Sequence, residues 1–505
     1  MATRWDTFPV KFEGGLTTNV GRIEQGIQFP GSATILQNFE ADIQGGYTRI
    51  LGYQKYSSTA VTGSGQIFGV ISLSASEVLA VRDGKFLYSS GTTWTDKLTL
   101  TSPTIVRIDE DVFNFNGTRK TVVVDGVNDP AFFDHTAKTM AYATAPPSDI
   151  SAAQRVRVFK NHIFFAKGTK LSFTAPYAEN DFTAASGAGV INIGDTITGL
   201  VVFREQLIVF CANAIYRITG SSISDFTLNP ITLNTGCLHG DSVQEVGGDI
   251  MYLGPDGVRY LSATERMEDF GLSRASAKIQ KDVIDTLGSG TRFSSITLAS
   301  KNQYRLYTYV SNVVRENSNG FIGVKFSDQT SENISWSLSK GVKVYDASKY
   351  QDSNGEYIVF CSDTGYVYRL ESGNSFDGED IEAIFETPYM PVTDPKKRKT
   401  FYKHTLYAKP QGVMDVMCTL KFDYAQVGSS QSPTFSISGE SGVATYGSSS
   451  AVYGTSVYGV IGQEQYYNNT VGSGFVVALR YRSKSQSSVY NINFAVLEFR
   501  ENERR

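Results

Sequence analysis

The feature that most constrains this chain is a phrase that recurs along it. A short apolar strand is followed by a turn carrying Gly, Asp or Asn, then by a second strand with aromatics. Copies run from Glu77 to Tyr88, Asn161 to Phe173, Gln206 to Ile218, Asp249 to Leu261 and Glu356 to Leu370. A divergent copy lies at Thr121 to Phe133, around Val122-Val-Val-Asp-Gly126. Each reads as a β-hairpin. A lone hairpin cannot bury its apolar face, so such units must stack on their neighbours. From Glu77 to Asp249 the units start about 40 to 45 residues apart, the spacing expected of propeller blades. Six or seven units can be counted and six blades are expected, with a pair of ordinary β-sandwiches as the alternative.

Composition agrees with an all-β chain. The 505 residues include 28 Tyr, 31 Phe and 47 Gly. Aromatics fit pleated surfaces and Gly supplies turns. With 19% charged and 41% hydrophobic residues the composition is globular, and the length suggests two to four domains. One helix is expected, over Leu272 to Leu287, where Ile279, Val283, Ile284 and Leu287 share a face and Gly288 suits the stop. It should pack outside a blade or at a subunit contact. After about Asn374 the composition shifts, with Pro388, Pro391 and Pro395 punctuating a linker-like stretch. The expected organisation is therefore a propeller over 55–375 and a β-sandwich-like platform over 376–505, joined by N-terminal strands from 1–54. Strands are expected at Phe401 to Ala408, Val416 to Phe422, Gly474 to Arg482 and Asn491 to Arg500. Within the platform, 428–462 is rich in Ser, Gly and Tyr, with Tyr446, Tyr453 and Tyr458 each preceding Gly. Such a stretch cannot form a dense core alone. It reads either as a long exposed loop or as one that orders against another subunit.

Chemistry-bearing patterns are sparse. The cysteines Cys211, Cys237, Cys361 and Cys418 are far apart, without a C-x-x-C pair, and read as isolated buried thiols. His135, His162, His239 and His404 show no metal-binding spacing. Cys237, His239 and Asp241 are close in sequence, but catalytic triads are assembled in space. No P-loop or G-x-S-x-G elbow occurs. The S-x-D-x-G-x-x-W turn of propeller sialidases has only a poor counterpart at Ser362-Asp363-Thr364-Gly365-Tyr366, which lacks that spacing and the Trp. The Lys396-Lys397-Arg398-Lys399 run reads as a solvated turn, the alternative being a contact to an acidic neighbour or to DNA. Net charge is −4, which argues against a large basic nucleic-acid surface. No stretch approaches the roughly 18 apolar residues of a membrane helix, and the N-terminus lacks a signal-peptide core. No enzyme activity, cofactor or metal is expected, and assembly is expected in a cytoplasm without membrane insertion.

The stretch Leu36 to Tyr53 resembles the opening motif of tail nozzle, or tail tubular, proteins of short-tailed bacteriophages. The matching positions are Asn38 in an apolar strand, Gly45 and Gly46 in an acidic turn, Arg49, and Gly52-Tyr53. Val158 to Phe165, followed by Leu171 to Tyr177 and Asn180-Asp-Phe182, is similar to one blade of that family. Gly236 to Ser242 with Gly248 to Val258 is similar to the next, and the helix after it and the C-terminal Glu-Arg-Arg also match. The Tyr-Gly stretch matches least. The resemblance implies a virion protein: a ring of about six subunits below the portal and adaptor ring and above a tail fibre or needle protein. Genomic DNA would pass through it without specific binding. A weakly acidic chain without a catalytic cluster suits a conduit, since a basic lumen would hold phosphates. Two other classes remain open: a receptor-binding or glycan-recognising propeller of the tail, and a host protein-interaction propeller.

Overall fold

The computed structural model describes residues 5–262, 274–287, 292–326, 334–424, 434–439 and 464–502. Among these, seven antiparallel sheets follow one another around a closed ring. Four are four-stranded meanders spanning residues 67–99, 109–142, 155–192 and 197–232. The fifth is three-stranded, within 244–260. The sixth runs from 292 to 340. The seventh uses strands 346–352, 355–361 and 367–370 and takes its fourth from Tyr53–Lys55. An N-terminal strand thus closes the ring by pairing with the chain some 310 residues later, so opening the ring costs backbone hydrogen bonds.

Apolar side chains between adjacent sheets prove the circular order. Leu79 and Phe86 pack with Val123 and Phe133, Phe113 and Val122 with Ile163 and Phe165, and Phe164 with Leu207 and Val209. Phe210 packs with Ile250 and Tyr252, Leu253 with Tyr304 and Leu306, and Ile322 with Ile358 and Phe360. Val359 and Cys361 then meet Val70 and Val78 of the first sheet. The fold is an all-β propeller.

The recurring phrase corresponds to the second and third strands of a blade, as at Val78–Arg82 and Lys85–Ser89. Their turn, Asp83-Gly84, has both φ angles positive (52° and 68°), the geometry that matches strand twist in a two-residue hairpin. The expected count of six is corrected to seven. The unit missing from the sequence reading is the hairpin Gln303–Tyr309 and Asn319–Lys325, whose strands are joined by residues 310–318. That long connection is not a two-residue hairpin turn but a turn at 311–312 followed by the 3-10 turn Arg315–Asn317, so the local signature is lost although the blade is intact.

The sixth blade does not end at its fourth strand. Ile334–Lys340 pairs in parallel with Ile35–Gln37, which pairs with Ile381–Glu386, and the sheet continues through Val477–Ser485, Met414–Phe422 and Phe435–Gly439. A second sheet contains Phe39–Ala41, Tyr47–Arg49, Tyr490–Glu501, Lys399–Pro410 and Glu464–Gly474, with Asp6–Lys11 also on Tyr490–Glu501. Propeller and platform share one apolar core, in which Leu253 and Trp336 belong to the same cluster as Phe385, Leu420 and Tyr481.

Three local expectations are corrected. The helical segment begins later than Leu272, as a 3-10 turn at Ala277–Ile279 leading into a helix at Gln280–Leu287. Ile279 and Val283 are buried, but Ile284 is exposed. A second helix, Arg22–Gln28, escaped notice because Gly26 interrupts its pattern; a Cβ there would lie 1.9 Å from the Tyr389 carbonyl oxygen. Residues 435–439 fall inside the expected loop yet form a strand on Met414–Cys418, with Ile437 buried. Tyr446, Tyr453 and Tyr458 lie outside the described residues.

Candidate functional site

The opening motif converges on the seam between propeller and platform. Asn38 is buried with φ +55°, a left-handed conformation that Asn tolerates. Its Nδ2 donates to the carbonyls of Lys340 (3.0 Å) and Glu382 (2.9 Å), and its Oδ1 accepts from the Lys340 amide (2.8 Å). One side chain therefore ties the outer strand of the sixth blade to the platform. Gly46 (φ +81°) lets the 42–46 turn approach strand Tyr490–Glu501; a Cβ there would meet the Ile492 carbonyl at 2.2 Å. Gly52 approaches Ser375 as closely, its virtual Cβ lying 1.9 Å from that carbonyl. Arg49 is fully buried and donates to the Asn374 carbonyl at 2.8 Å. Burial lowers its pKa from the ordinary arginine value. Tyr53 stacks on Phe376 (5.2 Å) and meets Phe360 and Tyr368 edge-on; burial pushes its hydroxyl up to about 12.

Beside these residues lies an ionic cluster that no local pattern announced. Arg305, 1% exposed, pairs with Glu40 (3.1 Å) and Glu371 (2.8 Å), and Lys301 pairs with the same two carboxylates (2.7 and 2.5 Å). Gln303 also donates to Glu40 (2.9 Å). Burial alone would raise the Glu371 carboxyl, but Arg305 and Lys301 hold it below its ordinary value. The cluster joins the N-terminal segment, the sixth blade and the seventh. Glu40 lies more than 200 residues from Lys301 and Arg305 in sequence, so only the closed ring could reveal the cluster.

A second polar cluster lies where the first strands of the blades converge. Asp241 pairs with Arg107 (3.0 Å) and Arg155 (2.5 Å), Arg157 with Asp109 (3.0 Å), and Arg292 with Asp346 (3.6 Å). Backbone amides complete it: Val156 donates to Asp109, Val158 to Asp111 and Val70 to Asp346. Glu110 accepts from the Ser348 hydroxyl at 3.2 Å. Dense protein around Glu110, with Asp346 and Asp109 close by, pushes its carboxyl up to about 8. Burial raises Asp346 to about 6, against the opposing pull of Arg292.

This network absorbs the sequence-adjacent trio. Asp241 is held by two arginines, whereas the His239 ring packs on Phe293 (4.6 Å between centroids). The Cys237 thiol is buried against the His239 carbonyl and Ser242, and burial pushes it up to about 12. A thiol so raised is not a nucleophile near neutrality, and the trio lacks a thiol–imidazole–carboxylate relay. All four cysteines are buried and free. The basic run is also structural. The Lys399 ammonium is buried and donates to the carbonyls of Pro391, Asp394 and Phe475, Lys397 pairs with Glu501, and Arg398 bonds Ser473. Among the described residues there is no cluster of three or more metal-ligating side chains, and no helix is long and apolar enough to cross a membrane.

No family model and no curated protein matches the chain. Solved structures resemble it at low identity. The extracellular domain of BT4673 from B. thetaiotaomicron matches at TM-score 0.40 and 12% identity, over 72% of this chain and 44% of that one. YCF48 bound to D1 peptide matches at TM-score 0.38 and 10% identity, over 62% of this chain and 95% of that one. The AfRom2 CNH domain matches at TM-score 0.39 and 9% identity, over 63% and 99%. The chain thus spans less than half of the first of these.

Proposed function

We propose that this chain is a non-enzymatic structural subunit of a phage tail nozzle, forming with about five further copies a ring through which DNA leaves the capsid. In this reading the ring sits in the virion, below the portal and adaptor ring and above a fibre or needle protein. The observation that carries it is the opening motif. Of the positions that resemble the nozzle family, Asn38 ties the sixth blade to the platform, Gly46 seats its turn on the platform sheet, and Arg49, Gly52 and Tyr53 lead the chain across to the seventh blade, so the motif spans the junction of propeller and platform. A motif that builds that junction fits a mechanical component better than a catalyst. In this reading the channel is built between copies, while ion pairs tie the inner strands of each propeller to one another. Imaging of the purified full chain tests this. A closed ring of about six copies with a central hole is expected; a chain that is never ring-shaped, alone or in particles, overturns it.

A glycan-recognising propeller is the second reading, and one observation favours it. Glu110, raised to about 8, lies near Asp346, raised to about 6, at the axis, and carboxyls displaced from their ordinary values are common at reactive sites. Against it, Arg107, Arg155, Arg157 and Arg292 are already engaged with carboxylates there. Glycosidase turnover lost in Glu110→Gln would favour this reading over the nozzle.

A further inference from the structure

Blades seven and one meet at a crevice of about 200 Å3, beside the strand that closes the ring. Gln54 comes from that closing strand, Arg369 and Ser372 from blade seven, and Ser76 and Gly91 from turns of blade one. The Tyr56 ring lies among them, its hydroxyl donating to the Ser76 carbonyl. Register decides which side chains face the crevice. Gln54 is opposite Arg369, so the two share a face, and the Arg369 guanidinium reaches the Ala75 carbonyl of blade one at 2.6 Å. Lys55 is opposite Tyr368, and its ammonium goes to the other face, over the Tyr366 ring (4.4 Å) and beside Asp377 (3.4 Å). The crevice is therefore built around one cation.

That cation lacks a counter-charge. Among the described residues Arg369 makes no ion pair, and its Nε has no hydrogen-bond partner. Carboxylates on the flanking segments are committed elsewhere: Glu77 to Lys138 (2.6 Å), Glu371 to Lys301 and Arg305 (2.5 and 2.8 Å), Asp377 to Lys55. A partly buried guanidinium without a carboxylate attracts an anion. Further donors stand beside it. The Gln54 Oε1 accepts from the Ser372 hydroxyl at 3.3 Å, which leaves the Gln54 Nε2 and the Ser76 hydroxyl without partners among the described residues. Gly91 (φ +113°) has no heavy atom within 4 Å of its virtual Cβ, so there is open space for a ligand. The volume falls below the roughly 300–1,000 Å3 of a site for a drug-sized molecule, so it suits one small group. Arg369 also stacks over the Tyr357 ring (5.5 Å), and a planar fork held on an aromatic face suits phosphate oxygens. We propose that this crevice binds a phosphate group, free or at the end of a larger molecule, and that the bound anion locks the ring closed. It would touch the closing strand, blade seven and blade one together, and a ligand that binds only the closed ring stabilises that state. The proposal is independent of the nozzle reading.

Titration calorimetry of the full chain with inorganic phosphate, against chloride at matched ionic strength, tests it. Saturable binding is expected, with a raised thermal midpoint and with amide exchange slowed across 53–56 and 367–370 but not across 155–192. Arg369→Lys keeps the charge but loses the fork, and should weaken binding about tenfold or more. Gln54→Glu gives Arg369 an internal carboxylate and should abolish binding without lowering the midpoint, which separates loss of the site from loss of the fold. Lys396→Met, on an exposed turn of the platform, should bind as the unaltered chain does. Glucose 6-phosphate distinguishes the sources of the group. Binding as tight as that of inorganic phosphate supports a phosphate carried on a larger molecule, and binding of inorganic phosphate alone supports a free ion. No saturable binding of either anion, an equal midpoint shift from chloride, or unchanged affinity in both Arg369→Lys and Gln54→Glu overturns the proposal.

Discussion

The propeller axis and the platform interior both bury titratable groups, but opposite ones. At the axis the strained members are acids, Glu110 and Asp346, pushed up to about 8 and 6. In the platform the member is a base: His404, fully buried, contacts the Tyr481 hydroxyl at 2.5 Å and Cys418 at 4.0 Å, and burial lowers it to about 3. Burial penalises whichever form is charged, so it raises an acid and lowers a base. The two regions therefore respond to pH with opposite signs. A carboxyl raised by folding adds stability at low pH, and that contribution disappears as pH rises from about 4.5 through about 8 for Glu110. A histidine lowered by folding adds stability above about 6.5, and that contribution disappears as pH falls toward 3. Difference in architecture underlies this. A ring of blades brings the polar ends of its inner strands to one axis, whereas a sandwich has an apolar middle.

The seam lies between these regions, and breaking it should have the largest effect. Arg305→Ala leaves the two carboxylates Glu40 and Glu371 sharing the single cation Lys301 and should cost about 3–5 kcal/mol. Chemical denaturation should also separate into two transitions, since propeller and platform lose a shared anchor; a single unshifted transition would show that they are coupled through the apolar core alone. Acidification comes next. Between pH 7 and pH 4, hydrogen exchange corrected for its intrinsic pH dependence should accelerate across 399–422 and 477–485 more than across 346–370, which holds no histidine. The platform loss should be roughly 2–4 kcal/mol, and His404→Phe should flatten it. Equal acceleration in both regions would break the comparison.

Asn38→Ala leaves two carbonyls and one amide of the seam without their partner and should cost about 1–3 kcal/mol, read as a lowered thermal midpoint. Asn38→Asp should cost as much or more, because its second oxygen cannot donate to the two carbonyls. The smallest effect is expected at the axis. Glu110→Gln keeps the side chain neutral at every pH, so its stability should fall less than that of the unaltered chain between pH 5 and pH 8.5. An identical slope in both would place the Glu110 charge in contact with solvent.

Much of the propeller was legible because its information is local. A two-residue turn such as Asp83-Gly84 declares itself by residue type, and alternating apolar strands on either side declare the hairpin. The seventh blade was missed where that locality failed, at the connection 310–318, which has no two-residue hairpin turn to mark it. The opening motif was legible as a pattern of Asn, Gly and Arg, yet its residues gave no sign of what they would touch.

What the sequence determined by itself is the all-β class, the hairpin unit and its stacking, since these follow from side-chain alternation and turn chemistry within a dozen residues. Tertiary structure alone decided the rest. It set the blade count, the closing of the ring by Tyr53–Lys55, and the meeting of Arg305 with Glu40 and Glu371. It also made Cys237, His239 and Asp241 part of a packed axis instead of a reactive group. The physical reason is that charge pairing and burial depend on distance through space. In a closed ring the nearest neighbours of a residue can lie hundreds of positions away along the chain.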